Sequence, residues 1–272
     1  IDIGGTKVST GLVDERGHLL VRHDVPTPKT TDPGVMWAAV TAAVDAVRTK
    51  DFVVCGVGCG GPMRHGLVSP LNIPAWRDFP LQAQLASHLD REVNVDNDAK
   101  ALALGEGWVG AAAGQHNFIG MVVSTGIGGG IVLDGRLLDG EDGNAGHIGH
   151  VIVEPDGRIC GCGARGCVEA EASGTAIRAI TGAAPKDAPL EVRERSGTLV
   201  GRAIASVANL LDLRLAVVAG SVALGYGEPF FRAAQAEIDA RSKLAFSAGT
   251  QVRPGGLGKD GPLIGAAAVG FR

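Results

Sequence analysis

The apolar positions of this chain fall into short runs and helical spacings that take turns along its length. Ile1-Asp2-Ile3 reads as the middle of a strand that begins upstream. The pattern breaks at Gly4-Gly5, resumes through Val13 and turns at Asp14-Glu15-Arg16-Gly17. Asp32-Pro33 predicts an N-cap with proline at the first helical position, and Met36, Val40, Val44 and Val47 follow at helical spacing. Phe52–Val57 predicts a buried strand. Val93–Val95 predicts another, ending at Asp96-Asn97-Asp98, with an alanine-rich helix over Ala99–Trp108 after it. Further on, a strand at Phe118–Val123 enters the glycine loop Ser124–Gly130 and leaves through Ile131–Leu133. Val200, Ile204, Val207 and Leu211 mark a helix, Leu215–Val218 a strand ending in Ala219-Gly220-Ser221, and Ile264–Phe271 a last helix. Strands alternating with helices predict an α/β core, largely parallel with some hairpins.

One unit of this pattern occurs twice. Residues 2–21 run strand, glycine turn, Gly-Leu-Val-Asp, glycine, Leu-Leu; residues 122–138 run strand, glycine turn, Gly-Ile-Val-Leu-Asp-Gly, Leu-Leu. A repeated hairpin about 120 residues apart predicts two similar lobes with a ligand cleft between them. The length of 272 residues agrees with about two domains.

Composition narrows the function classes. Apolar residues make up 45% of the chain, enough for a sizeable core. A formal net charge of −4 gives no basic face for general nucleic-acid binding, and 4% aromatics are too few for a base-stacking platform. The longest apolar stretches, Leu215–Ala223 and Leu263–Phe271, are too short for a membrane span, and Asp2 and Lys7 occupy the place of a signal peptide's apolar region. Five cysteines, three of them within eight residues, suit a metal site in a reducing, cytoplasmic setting better than a disulfide framework.

Four motifs carry chemistry. Glycine turns at Gly4-Gly5 and around Gly126 and Gly128 expose backbone N–H groups that can hold phosphate oxygens, and Thr6 and Thr125 can add hydroxyl donors. Asp2, at a strand end, can hold Mg²⁺ through water. Gly56–Gly61 formally contains G-x-G-x-x-G, but Pro62 follows where a dinucleotide fold needs a helix, so a loop lining a small-ligand pocket fits better. Cys160, Cys162 and Cys167, with His147 and His150 upstream, predict a closed Cys₃His zinc site of structural type. Asn97-Asp98, between strand and helix, is either a helix cap or the general base for a hydroxyl at the edge of a cleft. Glu169, near a helix start, is by itself uninformative.

Together these residues resemble the ROK family of bacterial sugar kinases and related repressors, within the hexokinase-like ATPase fold. The resemblance runs nearly end to end. It rests on Asp2–Lys7, on Gly58-Cys59-Gly60-Gly61-Pro62 with Asn72-Ile73-Pro74-Ala75-Trp76, and on Asn97-Asp98-Ala99. It continues through Ser124–Gly130, Ala145–His150, the three cysteines with Glu169, and Leu263–Ala267. It implies a two-lobed actin-like (ribonuclease H-like) α/β fold with duplicated phosphate loops and a cleft between the lobes. A small domain would span 1–110, with the C-terminal helix 262–272 packed back on it, and a larger zinc-bearing domain 111–261.

The resemblance further implies a cytoplasmic, homodimeric ATP-dependent kinase for the 6-hydroxyl of a hexose, with neither nucleic acid nor membrane as partner. Glucose is the first expectation; mannose, N-acetylglucosamine, N-acetylmannosamine and fructose are alternatives, as is polyphosphate as donor. A sugar binder without turnover, or a sugar-responsive regulator, is the other class; the regulator is the lesser expectation, since the sequence opens at the phosphate loop, and a longer native N-terminus with a helix-turn-helix would revive it. Asp98 is expected to take the proton from the sugar hydroxyl. Asn97, Glu169 and His150, with Gly61, Asn72 and His147, are expected on the sugar. Asp2, Gly4, Gly5, Thr6, Lys7, Thr125, Gly126 and Gly128 are expected on the phosphates of MgATP, and Gly220 near the adenosine. Zinc is expected on His150, Cys160, Cys162 and Cys167, leaving the second ring nitrogen of His150 for the sugar. Four features depart from the family pattern: His147 stands for the usual Glu, Lys100 for an Asn, Ala219-Gly220-Ser221 for a glycine triplet, and the stretch around Pro185–Pro189 is short.

Overall fold

The computed structural model describes residues 1–49 and 51–272. Contacts divide the chain into two compact units, one of residues 1–109, 138–145 and 257–272, the other of 110–137 and 146–256. The segment 138–145, expected with the second lobe, belongs to the first.

The first unit begins β1 (Asp2–Ile3), β2 (Lys7–Val13), β3 (Leu19–Pro26), α1 (Pro33–Asp45) and β4 (Cys55–Cys59). A short hairpin follows, β5 (Met63–Arg64) with β6 (Leu67–Val68), then α2 (Leu81–Leu89), β7 (Val93–Asn97) and α3 (Asp98–Val109). Its sheet runs β3-β2-β1-β4-β7: the first three strands form an antiparallel meander, and β4 and β7 lie parallel to β1. α1 starts as its sequence predicts, with Asp32 Oδ1 accepting the Gly34 N–H at 2.7 Å. It ends at Asp45, so Val47 lies beyond the helix. Ile3, Val8, Met36, Val40, Val57 and Trp76 are buried together as the core.

The second unit contains β8 (Phe118–Val123), β9 (Ile127–Leu133), β10 (Arg136–Leu137), α4 (Val168–Ala172), α5 (Gly174–Thr181) and α6 (Leu190–Leu211). It closes with β11 (Leu215–Ala219), α7 (Ser221–Tyr226), α8 (Glu228–Arg241) and β12 (Gln251–Pro254). Its sheet runs β10-β9-β8-β11-β12, again a three-strand antiparallel meander followed by two parallel strands. The repeated hairpin in the sequence is thus one corner of a repeated five-stranded sheet. The turn before β9 is shorter than expected: Gly128, Gly129 and Gly130 are strand residues opposite Val122, Met121 and Gly120.

The last helix, α9 (Gly261–Gly270), returns to the first unit and packs on β4 and α3. It explains a misreading. The strand expected at Phe52–Val57 lies at Cys55–Cys59, because the glycines that suggest a loop are ladder residues between β1 and β7. A Cβ on Gly56 would come within 1.8 Å of the Ala266 carbonyl, so the helix backbone rests directly on the strand. Among the described residues no helix is long and apolar enough to cross a membrane.

Candidate active site

In the first unit three parallel strands end side by side, the usual place for a ligand in an open α/β sheet. Their register sets Asp2, Gly58 and Asp96 in one row and Ile3, Cys59 and Asn97 in the next. Gly58 leaves room above the sheet: a Cβ there would lie 3.5 Å from Asp98 Cα and 3.8 Å from Asp2 Oδ1. Burial pushes the Asp2 carboxyl up to about 6, and the charge of Asp98 adds to the rise. Two carboxylates meeting at the end of a parallel sheet suit a cation on one and a proton on the other.

Asp98 is the first residue of α3. The cap reading of Asn97-Asp98 is met in the geometry, where the Ala99 N–H is shared by Asn97 Oδ1 at 3.0 Å and Asp98 Oδ1 at 2.8 Å. The cap fixes the backbone, and Asp98 has a second carboxylate oxygen. Two residues on, Lys100 is 1% exposed. Its ammonium reaches Asp96 Oδ1 at 3.0 Å, Asp139 Oδ1 at 2.9 Å and the Gly143 carbonyl at 2.8 Å. Arg272 bridges the same two carboxylates, reaching Asp96 Oδ2 at 2.5 Å and also Asp139 Oδ2. This network ties segment 138–145 to the start of α3.

The first glycine turn is braced by the Gly4 N–H donating to the Lys7 carbonyl at 2.9 Å and by Thr27 Oγ1 donating to the Gly4 carbonyl at 2.6 Å. Gly5, Thr6 and Lys7 are exposed. Lys7 lies 3.6 Å from Asp24, an ion pair that sequence reasoning missed. Asn72 lies against the turn, since a Cβ on Gly5 would come within 2.5 Å of its Cβ. Gly61 is on the same loop, its carbonyl accepting the Leu71 N–H at 3.4 Å.

In the second unit the ligand atoms of His150, Cys160, Cys162 and Cys167 all lie within 4.8 Å of one another. Cys160 Sγ is 3.7 Å from His150 Nδ1, and Cys162 Sγ is 3.8 Å from Cys167 Sγ. Thiolate–zinc bonds of ~2.3 Å in a tetrahedron set the ligand atoms about 3.8 Å apart, so this donor set fits zinc. All five cysteines are free thiols. Burial and the neighbouring thiols push Cys167 up to about 12, while the Ala164 backbone lowers Cys162; a divalent cation relieves that crowding. Of the two upstream histidines, His150 joins the cluster. His147 is exposed, its ring stacked on that of His150 with centroids 6.3 Å apart at 14°.

Glu169, two residues past Cys167, accepts the Ile127 N–H on Oε2 at 2.8 Å, directly beside the second glycine turn. A Cβ on Gly126 would lie 2.7 Å from that oxygen, so a side chain there would push the Glu169 carboxylate aside. Beside the same turn is a pocket of about 520 Å³, with Thr125, Thr175, Arg178, Lys186, Ser221 and Tyr226 among its lining residues. Ser221, one of its lining residues, has its hydroxyl 2.9 Å from that of Ser124. Gly220 turns there with φ near 99°, and a Cβ on it would meet the Val123 carbonyl at 2.3 Å. The volume suits a nucleoside, and two cations favour attached phosphates. Sequence reasoning reached Thr125 but missed Thr175 and Arg178 of α5, Lys186 and Tyr226, which three separate segments bring together. The short stretch around Pro185 holds a turn of 3₁₀ helix at Pro185–Asp187, and its Pro185 carbonyl accepts the Tyr226 hydroxyl at 2.8 Å.

Comparison with known proteins agrees with this arrangement. The ROK family profile matches residues 1–270. N-acetylmannosamine kinase of Pasteurella multocida is 36% identical over 245 residues, covering 84% of this chain and 82% of that protein. Glucokinase of Thermotoga maritima is 32% identical over 99% of this chain and 95% of its own length. Among solved structures, a ROK family glucokinase from Streptomyces griseus in complex with glucose and AMPPNP superposes with a TM-score of 0.84 at 30% identity, covering 99% of this chain and 97% of that one. The family profile spans nearly the whole chain and the superposition spans both sheets, so the chain belongs to the ROK family.

Proposed function

We propose that this protein is an ATP-dependent kinase that phosphorylates the 6-hydroxyl of a hexose, with Asp98 as general base. The observation that carries the reading is Asp98 itself: a carboxylate at the start of α3, beside Asp2 and at the ends of three parallel strands. In this reading Asp98 accepts the proton of the sugar hydroxyl while that oxygen attacks the γ-phosphorus. The bond from phosphorus to the β–γ bridging oxygen breaks, and ADP leaves. Positioning and charge neutralisation do most of the work in such a transfer. Gly4, Gly5, Thr6, Lys7, Thr125, Gly126 and Gly128 hold phosphates, and Gly220 stands by the adenosine at the pocket of the second unit. Asp2 is the residue to hold the Mg²⁺ that accompanies ATP, neutralising phosphate charge. Asn97, Glu169 and His150, with Gly61, Asn72 and His147, hold the sugar. His150, Cys160, Cys162 and Cys167 would hold a zinc ion with no position open for substrate, so the metal would be structural. A zinc ion held through Nδ1 would leave the Nε2–H of His150 for a sugar hydroxyl. Clustered thiols of this kind suit the reducing cytoplasm.

The hexose is glucose or N-acetylmannosamine, the substrates named for the relatives. His147 is the residue to probe. A neutral imidazole offers one donor and one acceptor where a carboxylate offers acceptors only, so it matches a different hydroxyl pattern.

The test is ADP release with MgATP against a panel of hexoses and acetamido-hexoses. Turnover is expected on one of them. Asp98→Ala is expected to lower kcat by about 10²–10⁴-fold while sugar binding persists, and His147→Glu to change the ranking of sugars. No turnover on any sugar by folded, zinc-loaded protein would overturn the kinase reading in favour of a binder.

A further inference from the structure

We infer that Glu169 is a positioning residue for the phosphate-donor loop, coupling sugar binding to nucleotide binding through one carboxylate. The inference rests on the kinase reading above and adds a second task to a residue assigned there to the sugar alone.

The loop 124–127 is short and is held at three points. It closes on itself through the Ser124 N–H and the Gly126 carbonyl at 2.9 Å. The start of α5 holds its first half: the Gly174 N–H donates to the Ser124 carbonyl at 2.7 Å, and the Thr175 N–H and hydroxyl donate to the Thr125 carbonyl at 3.1 and 2.9 Å. Its second half is held by Glu169 Oε2 on the Ile127 N–H at 2.8 Å. The first hold involves backbone carbonyls of the loop and is independent of side-chain charge. The second depends on a half-buried carboxylate. Gly149, one residue before His150, packs on the same spot: a Cβ there would lie 2.1 Å from the Ile127 carbonyl and 3.5 Å from Glu169 Cβ. Zinc ligand, carboxylate and donor loop thus form one packed block within the second unit.

Only Oε2 is engaged with Ile127, and Oε1 is left for a sugar hydroxyl. A hydroxyl on Oε1 removes the freedom of the carboxylate to rotate away from Ile127, and so stiffens the loop that receives phosphate. By reciprocity, nucleotide on the loop stiffens Glu169 for the sugar by the same factor. A carboxylate that served only as a sugar ligand has no such effect on nucleotide.

The experiment measures binding of Mg-AMPPNP alone, of the sugar that turns over alone, and of each in the presence of the other. Wild type is expected to bind nucleotide about fivefold or more tightly with sugar present. Glu169→Ala is expected to weaken nucleotide binding without sugar about tenfold, the size of one charge-assisted hydrogen bond, and to abolish the coupling. Glu169→Asp, too short to reach Ile127, is expected to do the same and serves if the alanine variant does not fold. Glu169→Gln keeps an acceptor for the Ile127 N–H, so nucleotide alone should bind within about twofold of wild type while sugar affinity falls. Zinc content and thermal unfolding certify the fold of each. Wild-type nucleotide affinity and coupling in folded Glu169→Ala and Glu169→Asp, with only sugar affinity lost, would overturn the inference. A wild type that turns over no sugar defeats the kinase reading instead, and this inference with it.

Discussion

Lys100 brings a full positive charge into the packed face of α3, where it is 1% exposed. A lone ammonium there would be intolerable, and the structure surrounds it with Asp96, Asp139 and the Gly143 carbonyl. Asp96 in turn receives the Asn97 N–H at 2.7 Å, so the charge network fixes the backbone next to Asp98. Replacing Lys100 by Met would leave two carboxylates facing an apolar chain, with Arg272 as the cation they still share. Lys100→Met is expected to lose about 3–5 kcal/mol in urea unfolding, the usual consequence of removing one partner from a buried ion pair. A loss below about 1 kcal/mol would mean that Arg272 alone satisfies both acids. Lys100 was visible in the sequence only as a departure from a family pattern. Its partner Asp139 lies 39 positions away, and no local rule links the two.

At the scale of elements, short strands with glycines are where sequence pattern and structure part. β1, β2, α1, α3, β8 and β11 lie close to where apolar spacing and caps predict them. β4 is displaced because Gly56 and Gly58 look like loop residues, yet both are ladder residues between β1 and β7, and α9 demands that Gly56 be small. Likewise β9 starts at Ile127 rather than Ile131, its glycines pairing with β8. Gly56→Ala is expected to force α9 off the strand, since a backbone carbonyl at 1.8 Å has nowhere to go. The expected cost is about 3 kcal/mol in equilibrium unfolding, with faster hydrogen exchange in Leu263–Gly270. Unchanged exchange in α9 would show that β4 rather than the helix yields.

For the whole molecule, the zinc cluster belongs to the second unit alone. Its knuckle is tied to the long helix α6 through Glu171, 1% exposed, which holds Arg158 at 2.8 Å and Arg195 at 2.7 Å. Zinc removal by a strong chelator is expected to lower the thermal midpoint by roughly 5–10 °C, given that 1 kcal/mol moves a chain of this size by roughly 2–4 °C. Loss of exchange protection is expected across 146–172 and in the first half of α6, with β4 and β7 in the first unit keeping theirs. Equal loss in both units would contradict the independence of the two cores.

What the sequence determined by itself is whatever depends on near neighbours along the chain. The strand–turn–strand glycine hairpins, the Asp32-Pro33 cap, the clustered cysteines and the junction of strand and helix at Asn97-Asp98 are each set within about ten residues, and each was legible. So was the repeat, because a copied unit keeps its pattern whatever it packs against. Tertiary structure alone decided the rest. It brought Asp2 beside Asp98 across β4 and gave segment 138–145 to the first unit through Lys100 and Arg272. It also gathered Arg178, Lys186, Ser221 and Tyr226 around one pocket and laid Glu169 on Ile127. The physical reason is the same in each case. These are contacts whose free energy comes from burial, charge pairing or a backbone hydrogen bond between elements far apart in sequence, and those terms exist only once the sheets have formed and the helices have packed on them.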